Sequence, residues 1–77
     1  MTIESAFGEV IRDLRKKTGR SQKDIAFASN LDRSFISLLE TGRQQPSLIT
    51  IFRLAGALGQ FPSQLILLVE EKLRENL

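Results

Sequence analysis

An all-α fold is what this sequence predicts, and three observations carry the prediction. Apolar residues recur at spacings of three and four, as in Phe7, Val10, Ile11 and Leu14. Strand signals are missing: there is little alternation, no Asn-Gly turn and few β-branched runs. Gly19, Gly42, Gly59, Pro46 and Pro62 then punctuate the chain into five helical segments.

The first helix is expected over about Ser5 to Thr18, with its apolar stripe on one face. Lys16 and Lys17 fall in the last turn, where the helix dipole favours cations, and Gly19 stops it. The second starts at Ser21, whose hydroxyl caps the backbone while Asp24, three residues on, completes a capping box. Ile25, Ala26 and Ala28 supply its small apolar face, and Asn30 suits the left-handed residue that ends it. The third begins at Asp32, a favourable N-cap, with Ile36 and Leu39 facing inward and Gly42 as the stop. Ser47 caps a fourth helix carrying Leu48, Ile51, Leu54, Ala55 and Leu58. Pro62 favours the first turn of a fifth, over about 62–75.

The 77 residues are read as one domain, with a small core and a modest stability margin. Cysteine and histidine are both absent, which removes disulfides, the usual zinc ligands, the commonest general base and the Cys or Ser–His nucleophiles. No enzyme activity, cofactor, metal or small-molecule ligand is expected. The N-terminus has no basic, apolar leader pattern, and the longest apolar run, LILLV at 65–69, falls far short of a membrane span. A cytoplasmic location without membrane contact is the expectation.

Net charge is only +2, but its distribution is uneven. From Arg12 to Arg53 nine basic residues face four acidic ones, whereas the two ends sum to −3. A basic middle fits a polyanion-facing surface, and a solvated mixture of charges fits it equally well.

The second and third helices are short and joined by a turn of about Ser29 to Leu31, with small Ala26 at their crossing and Leu31 beneath the turn. This is helix-turn-helix arithmetic, in which side chains near the start of the second member can enter a DNA major groove. The stretch SQKDIAFASNLDRSFISLLETGRQQPS resembles the Cro/phage-repressor-type (XRE) helix-turn-helix family. Ser21, Gln22, Ile25, Ala26, Asn30, Leu31, Ser34, Ile36, Ser37, Leu39, Glu40, Gly42 and Pro46 match that family's pattern at fixed offsets. The resemblance covers about residues 5 to 66, and size and the C-terminal helix are similar to restriction–modification controller proteins. It implies a compact five-helix, lambda-repressor-like fold with the helix-turn-helix at about 21–42, and double-stranded DNA as the partner.

The resemblance also implies roles. Ser21 and Gln22, at the start of the second helix, suit a phosphate oxygen, where the bland reading is a helix-start pair. Arg33 and Ser34 occupy the base-reading turn, and arginine can grip guanine O6 and N7 with two hydrogen bonds. Ser37 and Leu38 lie one turn on. Leu38 has no core to fill on this outer face, so it either meets a thymine methyl or is simply exposed. Phe35 is read as half core, half groove edge. Thr41, Arg43, Gln44 and Gln45 look like backbone-positioning contacts. Arg15 and Glu40 match an internal ion pair tying the first helix to the end of the third.

After ALG, Gln60 and Phe61 depart from the family pattern, placing Phe61 where a polar cap is expected. The fifth helix is apolar on more than one face. Leu65 and Leu68 pack inward, while Ile66, Val69 and Leu73 form a second stripe read as a homodimer surface, with Phe61 or Phe52 at its edge. The competing reading places all of them in the core. The expected function is a sequence-specific transcriptional regulator, a repressor or autoregulator, binding a palindromic operator as a homodimer. The alternative is an antitoxin-like or adaptor module in which the helix-turn-helix is scaffold.

Overall fold

A computed structural model describes residues 1–76. Five helices follow in order: α1 (Ile3–Lys17), α2 (Gln22–Ser29), α3 (Arg33–Glu40), α4 (Leu48–Ala57) and α5 (Pro62–Glu75). No strand occurs among the described residues.

Helix starts are set by local hydrogen bonds. α1 begins at Ile3, two residues before the expected Ser5, because Thr2 and Ser5 cap each other. Ser5 N donates to Thr2 Oγ1 (3.0 Å) and Thr2 N donates to Ser5 Oγ (3.1 Å). Ser21 and Asp24 make the same exchange at α2. At α4, Ser47 Oγ accepts from Thr50 N. α3 departs from expectation: Asp32 sits at the N-cap with extended backbone, yet its carboxylate bonds none of the first-turn N–H groups. At α5 the apolar Phe61 occupies the cap position, and Gln64 compensates. Its Oε1 accepts from Phe61 N at 2.7 Å, which supplies the reciprocal half of a capping box. Left-handed residues end four of these segments: Gly19, Asn30 (φ 57°), Gly42 and Gly59.

The core runs through all five helices. Ile11, Ile25, Ile36, Leu39, Leu54 and Leu65 are its largest fully buried side chains, with Phe7, Val10, Ala26, Ala55, Leu58 and Val69 around them. α1 lies against both α3 and α5, and α2 is held between α3 and α4. The α1–α3 contact depends on Gly8, where an added Cβ would stand 2.3 Å from the Leu39 carbonyl oxygen.

Several burial expectations are corrected. Ala28 is exposed and Ser29 is buried in its stead, its hydroxyl donating to the Ile25 carbonyl at 2.6 Å. Leu48 stands outside the core at 70% exposure, while Thr50 is buried. On α5 the expected outward stripe does not hold together. Val69 is buried and Leu73 is half-buried against the core, because α5 turns the 65–69 face toward α1.

Candidate nucleic-acid interface

The helix-turn-helix is pinned at its open end by a polar network. Arg15, on α1, donates from Nε to Glu40 Oε2 (2.7 Å) and from Nη2 to Glu40 Oε1 (3.0 Å), a bidentate pair. Its Nη1 donates to the Arg20 carbonyl (3.1 Å), securing the α1–α2 connection. Glu40 ends α3 and is buried. Hydrogen bonding to Glu40 raises the Arg15 pKa; burial opposes this and the Glu40 charge adds to it. A third donor completes the carboxylate's shell: Gln22 Nε2 donates to Glu40 Oε1 at 3.0 Å.

Ser21 and Gln22 are therefore committed groups as well as surface ones. The Ser21 hydroxyl accepts from Asp24 N, and the Ser21 N–H bonded to Asp24, then the Ser21 hydroxyl, hold the Asp24 pKa below the usual carboxylate value. Gln22 is half-buried, with one amide hydrogen turned inward. The pattern placed Gln22 at a helix start, but its partner Glu40 lies far along the chain and carried no local signal.

On α3, Arg33 and Ser34 are exposed in the first turn and make no side-chain hydrogen bond or ion pair among the described residues. Ser37, Leu38 and Phe35 are half-buried; Leu38, unlike Phe35, is not among the side chains packed against the core. Phe35 packs against the core and, with Ala26, Phe27, Asn30, Leu31 and Asp32, lines an open concavity beside the turn. Thr41 is exposed, but its hydroxyl donates to the carbonyls of Ser37 (3.0 Å) and Leu38 (3.2 Å). To donate to a phosphate oxygen the hydroxyl would have to turn away from these two carbonyls. Beyond it, Gly42 (φ 74°) lets the chain turn against Ser5, and Arg43 N donates to the Leu38 carbonyl at 2.9 Å. The side chains of Arg43, Gln44 and Gln45 are exposed.

Thus Gln22, the exposed start of α3 and the Arg43–Gln45 loop all belong to one helix-turn-helix frame, with Arg15 and Glu40 inside it. The residues expected at a subunit interface divide differently. Phe61 (73%) and Ile66 (43%) are exposed, whereas Val69 and Leu73 face the core. Leu48, Ile49, Phe52 and Leu67 are also exposed, and Ile3 and Ile66 line a cleft with Phe7, Pro46, Ile51 and Val69.

Comparison with known proteins places this arrangement. A family model described as Helix-turn-helix matches residues 11–64. The control protein C.BamHI of Bacillus amyloliquefaciens is 37% identical over 65 residues, 83% of this chain and 80% of that one. An uncharacterised HTH-type transcriptional regulator, y4dJ, of Sinorhizobium fredii is 31% identical over 71 residues, 92% of each chain. The crystal structure of the restriction–modification controller protein C.AhdI from Aeromonas hydrophila superposes with a TM-score of 0.77 at 43% identity, covering 79% of this chain and 92% of that one. With the motif from Ser21 to Pro46 folded as two short helices about a left-handed Asn30, the chain belongs to the Cro/C1-type helix-turn-helix family of DNA-binding regulators.

Proposed function

We propose that this protein is a sequence-specific transcriptional regulator that binds a roughly palindromic operator as a homodimer. The observation that carries the reading is the exposed, unengaged first turn of α3, where Arg33 and Ser34 are presented by a helix-turn-helix scaffold. Arg33 reads a guanine edge, and Ser34 and Ser37 add polar contacts deeper in the groove. Gln22, Arg43 and Gln45 contact phosphates on either side and set affinity and salt dependence rather than sequence. The identities to regulators and control proteins support this reading.

Homodimerisation is supported by large apolar side chains left uncovered on α4 and α5: Leu48, Ile49, Phe52, Phe61, Ile66 and Leu67. This surface replaces the stripe through Val69 and Leu73. Two copies would present recognition helices to major grooves about 34 Å apart. In this reading occupancy follows protein concentration through dimer assembly.

The test is in-vitro selection from a random DNA pool, with affinity measured against salt. Enrichment of a palindromic motif supports the dimer and the sequence reading together. Equal affinity for all sequences would remove the reading of bases, and a protein that ignores DNA but captures another polypeptide would favour the adaptor alternative.

A further inference from the structure

We infer that Glu40 is a positioning residue for DNA binding, acting through Gln22, in addition to pairing with Arg15. The inference rests on the regulator reading above. An ionised carboxylate only accepts hydrogen bonds, so the Glu40 oxygens settle which end of the Gln22 amide faces them: Nε2 rather than Oε1. Gln22 Nε2 donates to Glu40 Oε1 at 3.0 Å, the same oxygen that receives Arg15 Nη2 at 3.0 Å. Arg15 Nε fills the other oxygen at 2.7 Å. Glu40 is 5% exposed and no buried side-chain polar atom lacks a partner among the described residues, so the carboxylate has no competing water-facing position.

A glutamine at the first position of a surface helix ordinarily samples many rotamers, and fixing it on binding costs entropy. Here that loss is already incurred in the free protein. The second Nε2 hydrogen of Gln22 remains available at the N-terminus of α2, beside first-turn N–H groups and the positive end of the helix. Donation inward to Glu40 and outward to a phosphate oxygen uses both hydrogens of one amide. Because Glu40 terminates α3 and Gln22 opens α2, the same bond also sets the separation between the phosphate-facing end of one helix and the far end of the reading helix. Glu40 thus transmits its placement to DNA without touching it.

The experiment is a double-mutant cycle with Glu40→Asp and Gln22→Met on the selected operator. Urea curves on each variant correct affinities for the folded fraction. Aspartate keeps the charge for the longer, adjustable Arg15 but is one methylene too short to reach the amide. We expect Glu40→Asp to weaken operator binding about three- to tenfold when Gln22 is present and not at all when position 22 is methionine. Equal loss in both backgrounds would overturn the inference and leave Glu40 a folding residue only. Should Glu40→Asp fail to fold, side-chain amide NMR of the wild-type protein decides. One Gln22 Nε2 proton should be exchange-protected and immobile in the free protein, and the second should become so with DNA. A freely rotating Gln22 amide in the free protein would refute the positioning role. Absence of any operator binding by the wild-type protein would instead defeat the regulator reading, with a protected Gln22 amide still reporting the contact to Glu40.

Discussion

Gly8→Ala and Gly56→Ala are one chemical change made in two helices, and the structure gives them opposite signs. At Gly8 a new Cβ would lie 2.3 Å from the Leu39 carbonyl oxygen, 2.7 Å from the Glu40 carbonyl oxygen and 2.9 Å from the Glu40 carbonyl carbon. All three are backbone atoms of α3 and cannot rotate aside, so α1 must lift away from it by roughly 1 Å to restore ordinary contact distances. Overpacking of this kind costs about 1–3 kcal/mol, and occasionally more. Alanine's greater helix propensity returns about 0.8–1 kcal/mol. The net loss is therefore about 1 kcal/mol, a fall in Tm of about 4–8 °C for a domain of this size. At Gly56, on α4, nothing lies within 4 Å of the added carbon and the position is exposed. Only the propensity term acts there, stabilising by about 0.5–1 kcal/mol and raising Tm by a few degrees. Thermal melts followed by far-UV circular dichroism separate the two, run at one protein concentration because the proposed subunit association would shift Tm by mass action. A Gly8→Ala protein melting at or above the wild-type temperature would refute the claim that α1 and α3 touch through backbone at this point.

Three further outcomes are expected. Arg33→Ala should lose about 1–3 kcal/mol of discrimination at one base pair per half-site, with a urea midpoint unchanged, whereas Arg43→Ala should weaken all sites alike and lower the salt slope by about one phosphate contact. Asp24, exposed and held by Ser21, has a folded pKa below its unfolded value of about 3.9, so its stabilising effect is complete above that pH and disappears as pH falls through the lower folded value. Asp24→Asn should accordingly be less stable than wild type at pH 7, with the two urea curves converging at strongly acid pH. If the proposed dimer forms, Phe52→Glu, at a side chain 58% exposed, should convert it to monomer in sedimentation equilibrium without loss of helical signal.

Helix count and most boundaries were legible because the signals are local. Ser21 with Asp24, Ser47, Gly19, Asn30 and Pro62 each act on the backbone within a few residues. The start of α1 was missed because its cap uses two hydroxyls, Thr2 and Ser5, where the sequence template wants a carboxylate or amide at the third position. Ser29 was overlooked as an interior residue because its polarity is cancelled by its own helix, through the Ile25 carbonyl. Periodicity on α5 defines two apolar stripes but not which one meets the body. That choice is made by docking on α1, where Leu65 and Val69 win the core and Ile66 is left outside. At the candidate interface, the resemblance gave the Arg15–Glu40 pairing and placed Arg33 and Ser34 on an exposed helix start. The inward bond of Gln22 and the inward-turned hydroxyl of Thr41 depend on rotamers that no spacing encodes.

The idle carboxylate of Asp32 has a bearing on how tightly the reading element is held at rest. Of the five helix starts, four have a side chain bonded to the backbone, and the one without it opens α3. No side chain holds its leading N–H groups, so the tip of α3 is expected to fray more readily than the hydroxyl-capped starts of α1, α2 and α4. A tip with that latitude can settle against slightly different groove widths. In the proposed complex the base-reading Arg33 and Ser34 would then ride on a first turn with room to adjust, anchored to the body by the buried Ile36 and Leu39.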